Sequence, residues 1–201
     1  MKTTLAILAI AGSFAMPSLA GNSAKAPAPI APPKEEVRRA LSYDYVEIGY
    51  ASILSHDAGD FYGGYANVSW SPTNNLYVFG RLYGFGGSDS ALDASIGAGV
   101  YVPLFRDFDF ILEAGYNFFD IGDGNQNGLF VSPGFRTMVT SKLELNANAT
   151  VTFPEDGDTS VAVGGGFVYY LRPNLGLTGG YYYDLEDQSH FLQAGVRYIW
   201  R

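Results

Sequence analysis

From Ser42 to Trp200 the chain alternates apolar or aromatic residues with polar ones, and Gly, Asp, Asn and Pro recur between the alternating stretches. Period-two alternation bounded by such residues predicts strands, and no stretch shows the 3.6-residue spacing of an amphipathic helix. Ten segments are read: Tyr43 to Leu54, Phe61 to Ser71, Leu76 to Gly86, Leu92 to Leu104, Phe108 to Phe119, Gly128 to Thr140, Leu143 to Phe153, Thr159 to Leu171, Leu175 to Leu185 and Ser189 to Trp200. Pro133 cannot donate to a ladder, so a bulge or local break is expected near Ser132 to Gly134.

Each segment separates into two faces. One face carries Val46, Ile48 and Tyr50 in the first segment, Ala94, Ile96, Ala98 and Val100 in the fourth, and Leu192, Ala194, Val196, Tyr198 and Trp200 in the last, and it is free of charge in every segment. The other carries Glu47, Asn67, Arg81, Asp93, Glu113, Asn117, Arg136, Glu144, Asn146, Asn148, Thr150, Gln193 and Arg197, interleaved with Tyr45, Tyr65, Tyr77, Phe79, Tyr83, Tyr101, Tyr170 and Tyr182. A soluble sandwich or barrel turns its apolar face inward, whereas a membrane barrel turns it to lipid and lines its lumen with the polar set. Aromatics towards both ends of the apolar face favour the membrane arrangement, with Trp70, Tyr169 and Trp200 at one end and Tyr50, Tyr116 and Tyr181 at the other. The expected fold is therefore all-β, a closed antiparallel up-and-down transmembrane barrel of ten strands, with eight as the alternative count.

The connections divide in the same sense. Odd-numbered ones read "SHDAGD", "GSDS", "DIGDGNQN", "PEDGD" and "DLEDQ", all acidic, while "SPTNN", "FRD", "TSK" and "RPN" are short and hold most of the loop Arg and Lys. Short periplasmic turns opposite external loops follow from that asymmetry. An even strand count returns both termini to the periplasm.

Ahead of the barrel, Met1 to Ala20 has a Lys2 n-region, an apolar run from Leu5 to Met16 and a Ser18-Leu19-Ala20 cleavage site, which reads as a removed secretory signal. Residues 21 to 41 then form a Pro/Ala-rich periplasmic leader suited to an extended tether. The barrel domain occupies 42 to 201. The 201 residues carry a formal net charge of -8, which excludes a nucleic-acid partner on electrostatic grounds. Charged residues make up 16% of the chain, below the roughly 25% of soluble domains. Absence of cysteine removes disulfides, thiolate metal sites and thiol nucleophiles.

The last segment contains Gln193-x-Gly195-x-x-Tyr198-x-Trp200, which resembles the C-terminal assembly signal of Gram-negative outer-membrane barrels, with Arg201 as one trailing residue. "ALSYDYVEIGYA", from Ala40 to Ala51, resembles the first strand of small diffusible-signal-regulated outer-membrane barrels. More broadly the domain is similar to the OmpA-type and OmpX-type superfamily. That resemblance implies a Gram-negative outer-membrane location, contact with membrane lipid and lipopolysaccharide, and recognition of the terminal strand by the barrel-assembly machinery. It specifies architecture and leaves activity open.

Candidate chemistry is sparse. His56 and His190 are the only imidazoles, and barrel closure would bring the first and last strands, and so these residues, towards one rim. No catalytic motif accompanies them, and an enzyme is not expected. "DGNQNG", Asp123 to Gly128, matches half a calcium loop but has Gly134 where the bidentate acid belongs, so a turn is expected and no cofactor or metal is assigned. The lumen offers more. Glu47, Arg81, Glu113, Arg136 and Arg197 all fall on inward faces at similar depth, and unpaired charges in a confined lumen are unfavourable. A layer of ion pairs is expected, with Glu47 to Arg197 across the closure seam and Glu113 near Arg136. The functional expectation is a non-enzymatic barrel with a largely plugged lumen and a structural or surface-interaction role. A passive small-solute channel is the alternative.

Overall fold

The computed structural model describes residues 41–55, 59–86, 90–121 and 124–200. The expected signal peptide with its expected cleavage site at Ala20, and the expected leader as far as Ala40, lie outside the described residues, as do His56, Asp123 and Arg201. Ten strands follow in chain order: β1 (Tyr45–Ser55), β2 (Gly59–Trp70), β3 (Leu76–Gly86), β4 (Ala91–Phe105), β5 (Phe108–Ile121), β6 (Gly124–Thr140), β7 (Leu143–Pro154), β8 (Ser160–Arg172), β9 (Leu175–Asp184) and β10 (His190–Ile199). Each pairs antiparallel with its sequence neighbours, and β1 pairs with β10 from Tyr45↔Ile199 to Leu54↔His190, closing the barrel.

Burial decides which face is which. Ile48 is 61% exposed and Ile96 64%, whereas Glu47 is 2% and Glu144 0% exposed. A barrel that turns isoleucine outward and glutamate inward is unfavourable in water and suits a hydrocarbon surround, where a closed ladder also satisfies the backbone. Trp70, Tyr169 and Trp200 are exposed at one end of this surface, and Tyr50, Tyr62 and Tyr181 at the other. At the acidic end these rings engage polar neighbours: the Tyr62 hydroxyl donates to Asp60 Oδ2 (3.1 Å) and the Tyr116 hydroxyl to Glu155 Oε1 (2.5 Å). A ladder with no edge predicts that the folded chain resists SDS until heated. Boiled and unboiled samples should migrate differently in SDS gels; identical migration would contradict the closed barrel.

Inward aromatic rings narrow the lumen, and glycines on adjacent strands make room for them. A Cβ at Gly99 would meet the Tyr77 ring, and one at Gly195 would meet the Tyr65 hydroxyl and the Gly49 backbone across the seam. Tyr43, Tyr77, Phe79, Tyr101, Ile111 and Phe130 form one buried cluster, and Ala51, Phe61, Tyr65, Phe85 and Ala91 another.

Three details differ from the sequence reading or refine it. β6 starts at Gly124 rather than Gly128 and pairs Asn125 with Asp120, so most of "DGNQNG" is strand instead of loop. β1 starts at Tyr45 rather than Tyr43, because Leu41 to Asp44 leave the ladder, with Leu41, Tyr43 and Asp44 buried. At Pro133 the ladder to β5 is regular, through Leu112↔Pro133, but pairing with β7 lapses between Val131↔Val151 and Gly134↔Asn148. The register is the same on both sides of this gap, so it is a local break and not a bulge. Side chains bridge it: Ser132 Oγ lies 2.8 Å from Thr150 Oγ1 and accepts from Asn148 Nδ2 at 2.9 Å.

Candidate functional site

Antiparallel closure places Glu47 directly opposite Arg197, and on inward faces the two have little choice but to meet. Arg197 Nε and Nη2 each lie 2.8 Å from Glu47 Oε2. The pair continues across the lumen, with Arg197 Nη1 3.4 Å from Glu144 Oε1. Glu144 also receives Arg136, from Nε at 2.8 Å and Nη2 at 2.7 Å, and its second oxygen accepts the Tyr170 hydroxyl at 2.7 Å. Four charged groups from β1, β10, β7 and β6 thus form one chain, and Glu144 is its pivot. Arg81 forms a separate pair with Glu113 (2.5 Å), whose other oxygen accepts the Tyr77 hydroxyl at 2.9 Å.

Aromatic faces complete these cations. The Arg197 guanidinium lies 4.0 Å from the Tyr45 ring centre, that of Arg136 4.4 Å from Tyr43, and that of Arg81 4.3 Å from Phe79. Such contacts favour a desolvated guanidinium without demanding another carboxylate. Tyr65 ties the seam to β9: its hydroxyl donates to Glu47 Oε1 (2.9 Å) and lies 3.2 Å from Thr178 Oγ1.

The segment ahead of β1 forms the floor. Tyr43 enters the lumen, stacks on Tyr101 with ring centres 4.0 Å apart and planes 5° from parallel, and donates its hydroxyl to Asp109 Oδ2 at 3.0 Å. Its backbone oxygen accepts from Ser69 Oγ (2.7 Å), the Ser42 carbonyl accepts from Arg136 Nη2 (3.1 Å), and Asp44 Oδ1 accepts the Ser71 N–H (2.8 Å). The segment is therefore held from β2, the β2–β3 turn and β6 at once.

The expected set is only partly assembled as read. Arg197 and Glu47 meet, but Glu113 does not pair with Arg136. The register sets Arg136 opposite Asp109 and Glu113 opposite Ser132, so the two differ in depth, and each finds its counter-charge on another strand. Glu144, Asp109 and Tyr43 were missing from the expected layer. Glu144 was recognisable as inward from the Glu144-x-Asn146-x-Asn148-x-Thr150 run, but its reach across the lumen was not. Of the terminal-strand residues, Gln193 and Gly195 face the lumen, with the Tyr83 hydroxyl 3.4 Å from Gln193 Oε1, and Tyr198 and Trp200 are exposed on the outer surface. His190 is on the outer surface too, its Nδ1 2.8 Å from the Tyr181 hydroxyl. Among the described residues no group of three or more His, Asp or Glu is arranged to hold a metal ion.

Space inside the barrel lies on the acidic side of the charged layer. One cavity, about 390 Å³, extends from Arg136 and Arg197 to Asp184, Ser189 and Phe191 at the acidic end. A depression at the opposite end is lined by Ser42, Met138, Lys142, Tyr170, Asn174 and Ile199 among others. No residue lines both.

No family model and no curated protein matches this chain. Solved structures do. The β domain of the Bordetella autotransporter Brka matches with a TM-score of 0.54 and 12% identity over 78% of this chain and 98% of that one. The translocator domain of autotransporter NalP from Neisseria meningitidis matches with a TM-score of 0.50 and 12% identity over 79% of this chain and 90% of that one. At such identity the likeness speaks for architecture. Together with the closed antiparallel ladder and its inverted faces, it gives this chain the fold of the outer-membrane β-barrels.

Proposed function

We propose that the chain is a non-enzymatic outer-membrane barrel whose lumen is closed near the end where β1 begins and β10 finishes, and which acts as a structural or surface-interaction protein. The observation that carries this reading is the pivot at Glu144: two arginines, a tyrosine and, through Arg197, the seam glutamate meet across the lumen. In this reading both termini are periplasmic and the acidic hairpins face outward. Outer-membrane lipid and lipopolysaccharide surround the apolar band.

The cavity of about 390 Å³ is the feature that favours the alternative of a passive small-solute channel. Swelling of proteoliposomes in arabinose separates the two. Swelling no faster than in protein-free vesicles is expected, and swelling that scales with protein content would establish the channel.

The barrel-assembly machinery is the proposed reader of the terminal strand. Replacing Tyr198 and Trp200 together with Ala should then reduce insertion more than replacing Val46 and Ile48, which are also exposed apolar residues on the seam strands. Insertion measured by heat-modifiable migration in membranes decides it, and equal defects would remove the signal role.

A further inference from the structure

In the closed-lumen reading, two unlike parts obstruct the barrel near the start of β1. The chain of Glu47, Arg197, Glu144 and Arg136 belongs to the wall, each residue on a paired strand, and it runs from the β1–β10 seam to β7 and β6. Tyr43 covers the other sector. Its ring centre lies 4.8 Å from that of Tyr77 on β3 and 4.0 Å from that of Tyr101 on β4, and its hydroxyl donates to Asp109 on β5. Arg81 and Glu113 pair in the same sector, but further along β5 than Asp109 and so further from this mouth.

Tyr43 is not part of the wall. The ladder begins at Tyr45, through Tyr45↔Ile199 and Tyr45↔Ser69, and is complete without the residues before it. Asp44 stays beside that edge: its carbonyl accepts the Trp200 N–H at 3.3 Å and its Oδ1 the Ser71 N–H at 2.8 Å. Ser42 and Tyr43 are held otherwise. Among the described residues, the hydrogen bonds they make with the wall each use a wall side chain: Ser69 Oγ and Arg136 Nη2 as donors and Asp109 Oδ2 as acceptor. Drawing them out breaks no rung of the ladder, only these side-chain contacts and the burial of Leu41 and Tyr43. Segments held in this way open locally while the rest of a fold stays intact.

We propose that Leu41 to Tyr43 are a withdrawable stopper, hinged at Asp44, and that the barrel passes from closed to conducting when they leave the lumen while the charged layer stays in place. The stopper lies on the N-terminal side of β1, so a pull on the preceding chain reaches Tyr43 without passing through any strand. The proposal rests on the closed-lumen reading and adds that the closure is reversible.

The chain has no cysteine, so one introduced thiol reports on the stopper alone. Full-length Leu41→Cys is refolded and exposed to a bulky, water-soluble maleimide, and both the labelling rate and single-channel conductance are followed. The buried thiol should react slowly, and each adduct should hold the stopper out, so that conductance rises in step with labelling while heat-modifiable migration is kept. Tyr43→Phe in the same background should raise the labelling rate by about ten-fold or more, as loss of a hydrogen bond to a carboxylate shifts the equilibrium. A thiol that never reacts, or a fully labelled barrel that stays silent, would overturn the stopper. Loss of heat-modifiable migration on labelling would overturn it too, since the thiol would then be reached only by unfolding. Conductance from the triple replacement of Arg81, Arg136 and Arg197 by Ala, with the labelled barrel silent, would leave the closed lumen standing without the stopper. Conductance in the unlabelled native chain would instead remove the closed-lumen reading, and the stopper with it. If Leu41→Cys does not fold, Ser42→Cys, a near-isosteric change, takes its place with the same expected and contrary results.

Discussion

Glu144→Ala should destabilise the barrel by about 3–5 kcal/mol, the range for removing one partner of a buried ion pair. The side chain is fully buried and is the only carboxylate that Arg136 contacts as an ion pair among the described residues. Its loss leaves the Arg136 guanidinium with the Ser42 carbonyl and the Tyr43 face, and leaves the buried Tyr170 hydroxyl without an acceptor. Arg197 is less affected because Glu47 remains. The urea midpoint for loss of the heat-modifiable species in lipid vesicles measures this, with Asp156→Ala, at an exposed position between β7 and β8, as a control expected to cost less than about 0.5 kcal/mol. A midpoint for Glu144→Ala equal to that of the control would remove Glu144 from the centre of the layer.

Tyr43→Ala should cost a further large amount, about 3–5 kcal/mol by analogy with other buried aromatic truncations, and should loosen the floor. The substitution deletes the stack on Tyr101, the hydroxyl bond to Asp109 and the aromatic face under Arg136. Tyr43→Phe isolates the hydroxyl and should cost about 1.5–3 kcal/mol, since its acceptor is a carboxylate. The same vesicle assay reads both variants. If Tyr43→Ala were no more damaging than Tyr43→Phe, the ring would not be part of the floor.

Tyr43 also shows where sequence reading stops. Tyr43, Tyr45 and Glu47 share one parity, so alternation alone extends the first strand to Tyr43, and nothing in the pattern marks the point at which the chain turns off the ladder. The faces themselves were legible because a barrel wall is one residue thick: parity assigns every side chain to lipid or lumen, and Glu47, Arg81, Glu113, Arg136 and Arg197 all followed it. The seam pair was legible for a related reason, since closure makes β1 and β10 neighbours and Glu47 and Arg197 lie at similar distances from the paired ends of those strands. Pairs that cross the lumen were not. Arg197 reaches Glu144 three strands away, and Arg81 reaches Glu113 two strands away, because long side chains bridge the interior at depths set by strand tilt and shear, neither of which period-two alternation encodes. Pro133 lies between these cases. Its missing N–H announced a broken ladder, but only the structure shows the break on the β7 side, bridged by Ser132, Asn148 and Thr150.

A closed lumen is the central claim, and single-channel recording of the refolded protein in a planar bilayer tests it most directly. The native barrel is expected to show little or no conductance. The triple replacement of Arg81, Arg136 and Arg197 by Ala should raise it, because those side chains hold Glu113, Glu144 and Glu47 in the layer. Stable, large conductance from the native protein would contradict the closed reading and establish the channel in its place.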